Sequence, residues 1–220
     1  MTDPRRRVLV WDLPTRLCHW AIAGLFVTSW LTAEFDYLKP HMLSGYAMLA
    51  LLIFRFAWGF TGSESARFAR FLAGPRAVAS YLRTLLRREA DGATGHNPAG
   101  GWMVVAMLAL LTIQAGTGLG ANDDLIHEGP LAKHLGKSLS DRVTAIHHLN
   151  FTLLLAAVVL HLGAILAYRI VKRHDLVGPM ISGRKLLERS VAPPRMARTS
   201  LAAAIFLAAA GAVWLVAAKL

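Results

Sequence analysis

Five apolar runs, each of membrane-span length, govern what this 220-residue chain can become. They read as roughly Leu17–Ala33, Met42–Phe60, Trp102–Gly120, Ala145–Ile170 and Leu201–Ala218. A hydrocarbon core about 30 Å thick is crossed by about 20 helical residues. Because lipid offers no hydrogen bonds, each run must satisfy its own backbone, and it does so as a helix. Hydrophobic residues make up 55% of the chain and charged residues 17%, too greasy a balance for an ordinary soluble domain. The expected class is an all-α integral membrane protein. The basic start leads into a helix carrying His19 and two tryptophans, with no small-residue cleavage site, so no signal peptide is expected.

A net charge of +11 would suggest nucleic acid in a soluble protein. Its distribution gives a better explanation. The N-terminal arm holds Arg5, Arg6, Arg7 and Arg16, and the connection between runs two and three holds Arg67, Arg70, Arg76, Arg83, Arg87 and Arg88. The connection after run four adds Arg169, Lys172, Arg173, Arg184, Lys185, Arg189, Arg195 and Arg198, which brings this side to 18 of the 24 basic residues. The other side has Lys39, Lys133, Lys137 and Arg142 against Glu34, Asp36, Asp123, Asp124, Glu128 and Asp141. The positive-inside rule then places the N-terminus in the cytoplasm and, after five spans, the C-terminus outside. Lipid is the expected environment and no nucleic-acid partner is expected.

The two basic connections are the longest polar segments. Residues Ala77–Arg88 put leucines on one face and arginines on the other, as a helix lying on a membrane surface does. Gly95-His96-Asn97-Pro98 reads as the turn that starts the third span. Gly178-Pro179 and Pro193-Pro194 interrupt the later connection, which is expected to be mostly irregular. The segment Asn122–Arg142 is polar and reads as a small cap on the outer side.

Chemistry is concentrated in histidines. His147 and His161 are fourteen residues apart in one apolar run. On a helix that spacing advances about 21 Å and returns to within roughly 40° of the same direction. Both imidazoles share a face, one toward each membrane surface. His19 and His41 lie at the ends of two other runs. With alternating spans, depth pairs His41 with His147 on the outer side and His19 with His161 on the inner side. Two imidazoles fill both axial positions of a haem iron, which suits electron transfer. The single cysteine, Cys18, excludes an internal disulfide, and the absence of C-x-x-C-H points to two non-covalent b haems. Gly24, Gly45 and Gly163, near the ligands in sequence, would leave room for a flat macrocycle.

Several alternatives stay open. His148, thirteen residues from His161, points about 140° away from that ligand's face, yet it competes with His147 as the outer ligand. Arg55, fourteen residues after His41, either meets an inner haem propionate or snorkels to the surface. Arg16 is a second propionate candidate. His96 reads as a loop or capping residue, with a propionate contact as the alternative. His127, His134 and His174 read as surface residues, and Trp20, Trp30, Trp58 and Trp102 as interface anchors.

The chain resembles the bacterial cytochrome b561 group, which includes the cytochrome b subunits of nickel–iron hydrogenases. The likeness is carried by Val10-Trp11-Asp12-Leu13-Pro14-Thr15-Arg16-Leu17-Cys18-His19-Trp20, by His41 with Gly45-Tyr46 and by Phe54-Arg55-Phe56-Ala57-Trp58-Gly59-Phe60. Gly95-His96-Asn97-Pro98 and His147 through His161, ending in Met180-Ile181-Ser182-Gly183, continue it over about residues 8–185. The resemblance implies a four-helix transmembrane haem-binding bundle with two b haems on His19, His41, His147 and His161. His148 stands where relatives often carry an acid. The expected domain spans residues 1–190, and residues 191–220 form a linker and an accessory fifth helix.

The leading functional expectation is electron transfer across the inner membrane between the quinone pool and a soluble redox partner, a c-type cytochrome or a dehydrogenase. The alternative within that class is an anchor cytochrome b subunit of a hydrogenase- or dehydrogenase-type complex. A histidine-relay proton transporter predicts acids inside the spans, and spans two to five contain no Asp or Glu. A haem-free anchor leaves the matched histidine depths as coincidence. A homodimer is compatible with the sequence.

Overall fold

The computed structural model describes residues 5–83, 94–123 and 128–219. A strand, β1 (Arg5–Leu9), leads into α1 (Leu13–Glu34) and α2 (Leu38–Thr61). A single 3-10 turn (Glu64–Ala66) and two short helices, α3 (Phe68–Phe71) and α4 (Pro75–Arg83), follow. Next come α5 (Pro98–Gly118), a four-residue α6 (Ala132–Leu135) and the 34-residue α7 (Lys137–Ile170). After α8 (Val177–Ser182), β2 (Arg184–Glu188) and α9 (Thr199–Lys219) complete the order.

Four of these helices, α2, α5, α7 and α9, are long and apolar enough to cross a membrane. The helix α1 has 22 residues but carries Arg16, His19, Thr28, Ser29, Thr32 and Glu34, and it falls short on apolarity. Against the five spans expected, the described residues hold five long helices, of which four are apolar enough to cross a membrane. Every long helix starts before its apolar run. The largest discrepancy is α7, which begins at Lys137, where hydropathy marks only Ala145 onward. Hydropathy reports the part of a helix that lipid accepts, and the first two turns of α7 are polar.

The chain falls into two compact units, one of Met1–Leu17, Phe56–Ala106 and Val158–Ala202, the other of Cys18–Arg55, Met107–Ala157 and Ala203–Leu220.

In the first unit, β1 and β2 pair antiparallel with Arg7 opposite Leu186 and Val8 opposite Lys185. Val8 and Leu187 turn inward and pack with Val10 and Trp11. The later connection is mostly irregular, as expected, but it also contains α8 and β2, and the ribbon ties it to the N-terminal arm. The ribbon's alternating inward positions are masked in sequence by Arg5, Arg6, Arg7, Arg184 and Lys185. At the start of α1, the Asp12 carboxylate accepts the Thr15 main-chain N–H (2.7 Å) as an N-cap and also the indole N–H of Trp58 (3.1 Å). Trp58 is fully buried there, so it is not an interface anchor. Trp20, Trp30 and Trp102 are 45, 38 and 48% exposed, as interfacial rings would be.

Pro98 opens α5, and Asn97 caps it by accepting the Gly100 N–H at 2.7 Å. The expected surface helix is observed as α4, and the rest of Ala77–Arg88 lies outside the described residues. The chain before α9 is latched to the turn after α2. Glu64 N–H donates to the Arg195 carbonyl (2.9 Å), Arg195 N–H to the Glu64 carboxylate (3.1 Å), and Ala197 N–H to Ser63 Oγ (2.9 Å).

The second unit contains Phe26 of α1 stacked on Phe151 of α7 (6.3 Å between centroids) and Phe54 of α2 against Phe206 of α9 (6.2 Å). Of the four apolar helices α2 is the most enclosed, 44% buried along its apolar window against 11% for α7 and α9. In water, surfaces such as Val159, Leu160 and Leu207, each more than 60% exposed, would be an aggregation liability; in lipid they are solvated.

Two outcomes test these contacts. Asp12→Ala removes a cap and strands a buried indole N–H, and should cost about 1–3 kcal/mol in unfolding measured in detergent, with Asp12→Asn losing less. The Arg195 main-chain N–H, aided by the Arg70, Arg195 and Arg67 charges, holds the Glu64 carboxyl below the usual carboxylate range. A depressed folded pKa means that the latch is complete above the unfolded value of about 4.3 and weakens as pH falls through the folded value. Amide protection factors at Arg195 and Ala197 should therefore drop in acid, and Glu64→Gln should remove that pH dependence.

Candidate haem site

Every histidine singled out by depth lies on a long helix: His19 on α1, His41 on α2, and His147 and His161 on α7. All four are half-buried. His41 and His147, both in the second unit, are brought together, with ring centroids 6.2 Å apart and planes at 81°. Metal–imidazole bonds are about 2 Å long, and a ring centre lies about 1 Å beyond its nitrogen, so two axial imidazoles on one iron have centres about 6 Å apart. The angle between planes is free, because each ring can rotate about its bond to the metal.

The hydrogen bonds decide which nitrogen of each ring is available. His41 Nδ1 lies 2.9 Å from the Ser29 main-chain carbonyl on α1. His147 Nδ1 lies 3.0 Å from the Gln114 carbonyl on α5. A carbonyl can only accept, so both Nδ1 atoms carry the proton and both Nε2 atoms present a lone pair. Metal-binding histidines are held in this way, with the distal N–H given to a carbonyl or carboxylate. The donor set fits a haem iron at this pair.

Around His41 the two helices are clasped in both directions. Ser29 Oγ lies 2.6 Å from Ser44 Oγ, and Ser44 donates to the His41 carbonyl at 2.7 Å, so Ser29 is the donor to Ser44. Ser44 is 5% exposed. Around His147 the support comes from α5. Thr117 Oγ1 is 3.1 Å from Nδ1, and the Gln114 carboxamide nitrogen donates to Nε2 at 3.0 Å. Asn150, also buried, donates to Gln114 Oε1 (2.7 Å) and to the Leu110 carbonyl (2.9 Å). An iron on His147 Nε2 requires the Gln114 carboxamide to turn aside about its own rotamers. Gly118 lets the ring lie against α5: an added Cβ there would stand 3.2 Å from His147 Cε1. His148 is exposed.

Ser29, Ser44, Gln114, Thr117, Gly118 and Asn150 were not singled out in the sequence. Polar residues inside apolar runs were the available signal, since each needs a partner in lipid. Of the glycines that were singled out, Gly24, Gly45 and Gly163 all face open space. Only Gly45 lies within about 40° of its histidine; Gly24 and Gly163 are turned about 140° and about 160° from His19 and His161.

Arg55 is 7% exposed, so it is buried within α2 and does not reach a solvated surface. Arg16 donates through Nη1 to the Ile181 carbonyl at the end of α8, which ties the first turn of α1 to that helix. His96 is held between the rings of Trp11 (4.7 Å) and Phe71 (4.6 Å), a packing role in the first unit. His134 is exposed, His174 is half-buried, and His127 lies outside the described residues. Among the described residues no three His, Cys, Asp or Glu side chains gather as a metal cluster.

The chain has relatives among known proteins. The model of the family described as prokaryotic cytochrome b561 matches residues 10–183. A Rhizobium leguminosarum bv. viciae protein, described as a probable Ni/Fe-hydrogenase B-type cytochrome subunit, is 28% identical over 222 residues, covering 84% of this chain and 91% of the relative. A Bradyrhizobium diazoefficiens protein of the same description is 25% identical over 217 residues, covering 82% and 87%. No solved structure matches. With apolar helices that can cross a membrane, a His41–His147 ring contact between two of them and a family match over most of its length, this chain belongs to the prokaryotic cytochrome b561 family of membrane b-type cytochromes.

Proposed function

We propose that the protein is a di-haem cytochrome that carries electrons across the bacterial inner membrane, between the quinone pool and a redox partner at the membrane surface. The observation that carries this reading is the His41–His147 pair, 6.2 Å between ring centres with both Nδ1 protons given to main-chain carbonyls. These two residues hold the outer haem. His19 and His161 hold the inner one, as the fourteen-residue spacing along α7 supports. Bound haem would supply a one-electron couple at each site, and a pair of imidazole ligands would suit it to electron transfer.

The chain's own part is to hold and tune. Its histidines orient their Nε2 lone pairs, and the spans exclude water from the path. Arg55, a guanidinium buried within α2, serves the inner propionates, and Arg16 is the second residue in that role. The helix α1 crosses as the first of five spans, so the N-terminus is cytoplasmic and the C-terminus periplasmic, in keeping with the charge asymmetry. Residues 191–220 form the accessory segment outside the haem-binding helices.

A second reading concerns the partner. The two relatives are described as probable Ni/Fe-hydrogenase B-type cytochrome subunits, and each is covered over nearly its whole length. That favours a hydrogenase as the electron donor, with this chain as its membrane-anchoring subunit, over a diffusing c-type cytochrome. Stable co-purification with a hydrogenase would decide for the anchor. Oxidation or reduction by a soluble cytochrome without a stable complex would decide for the free-standing oxidoreductase.

A reduced-minus-oxidised spectrum with a pyridine haemochrome assay should give two b haems per chain. One haem or none in folded protein would sink the reading. His161→Ala should lose the inner haem and largely spare the outer, halving the haem-to-protein ratio; loss of both or of neither would contradict the pairing.

A further inference from the structure

His147 and His41 are held differently, and the difference lies on α5. His41 Nδ1 meets the Ser29 carbonyl. His147 Nδ1 meets two acceptors at nearly equal distance, the Gln114 carbonyl (3.0 Å) and Thr117 Oγ1 (3.1 Å). The Thr117 hydroxyl is free to accept because its own hydrogen is directed to the main chain, at 2.6 Å from the Ile113 carbonyl and 3.1 Å from that of Gln114. A threonine that bonds back to its own helix is ordinary. A threonine that does so while its lone pair faces a ligand histidine from another helix is placed to act on that ligand.

We propose that Thr117 is a positioning residue for the outer haem, acting through His147, and that it lowers the potential of the iron which His147 ligates. The proposal rests on the reading of His147 as an axial ligand. The shared Nδ1–H would fix the ring's orientation, because only a narrow range of rotation keeps both acceptors within reach. It also draws the proton away from the ring, which makes Nε2 more basic, as outer-shell acceptors do for metal-bound imidazoles. A more basic ligand favours ferric over ferrous iron, so the potential falls. Close packing supports the arrangement: Gly118, the next residue, lets the ring approach α5, where any Cβ would stand 3.2 Å from Cε1.

The test is a spectroelectrochemical titration of purified full-length protein that resolves the two midpoints. The outer haem is the one that disappears in His41→Ala. Thr117→Val, close in shape but without the acceptor, should keep two haems per chain, raise the outer midpoint and leave the inner one unmoved. Thr117→Ser should restore the wild-type value. In Thr117→Val the ferric electron paramagnetic resonance signal of the outer haem should also change its g-values. Two bound haems with both midpoints unchanged, or a shift of the inner haem, would overturn the proposal. If Thr117→Val does not assemble, Thr117→Ala is read by the same criteria. Failure of the underlying assignment is distinguishable, because His147→Ala would then retain two haems whatever the Thr117 variants do.

Discussion

Hydrocarbon offers no hydrogen bonds, and the placement of polar groups in this protein follows from that constraint. His41 gives its Nδ1 proton to Ser29 on α1, while Ser29 and Ser44 return a chain of hydroxyls to the His41 carbonyl. Asn150 spends both amide hydrogens on α5, on the Leu110 carbonyl and the Gln114 side chain. Each of these bonds is worth only about 0.5–1.5 kcal/mol net, but leaving the buried group unanswered would cost more. The same bonds that satisfy the helices therefore choose a tautomer and a direction for each imidazole. Helix packing and ligand orientation are one set of contacts.

Much of the fold was legible because lipid imposes a coarse rule on sequence. An apolar run of span length gives a helix, and basic residues sort to one side. What the rule does not mark is helix that lies outside lipid or faces protein. The first two turns of α7 are polar and begin inside the segment expected to form an outer cap, although Lys137–Ile170 is one helix. The β1–β2 ribbon was hidden for a different reason. Its strands carry five cationic side chains, and only Val8 and Leu187 are buried, too few to give an alternating apolar signal. Trp58 shows the limit of reading position as role: near a span end it looks interfacial, yet its partner Asp12 lies 46 residues away in sequence.

The site was legible to the same depth and no further. Fourteen residues on one helix is a statement about α7 alone, so the shared face of His147 and His161 could be read from spacing. The residues that hold the His147 ring belong to α5, and which of its faces meets α7 is set by inter-helix register. Gln114, Thr117 and Gly118 therefore looked like unremarkable span residues. Their polarity was the one available clue, since a glutamine and a threonine inside an apolar run need partners.

The modest apolarity of α1 follows from the same logic. A helix is judged membrane-spanning by its mean hydropathy, but only its lipid-facing stripe meets lipid. In α1 the exposed large residues Val27, Trp30 and Leu31 are apolar or interfacial in character. Among its polar residues, Ser29 meets α2 through both its carbonyl and its hydroxyl, and Thr28 and Thr32 bond back to α1's own carbonyls. Thr28, Ser29 and Thr32 are satisfied and do not oppose insertion as free polar groups would, while Arg16 and His19 near the start of the helix and Glu34 at its end lower the mean most. The contrast between α1 and the alanine-rich α9 lies chiefly in Arg16, His19 and Glu34, since α7 carries His147, Asn150 and His161 and is still apolar enough to cross a membrane.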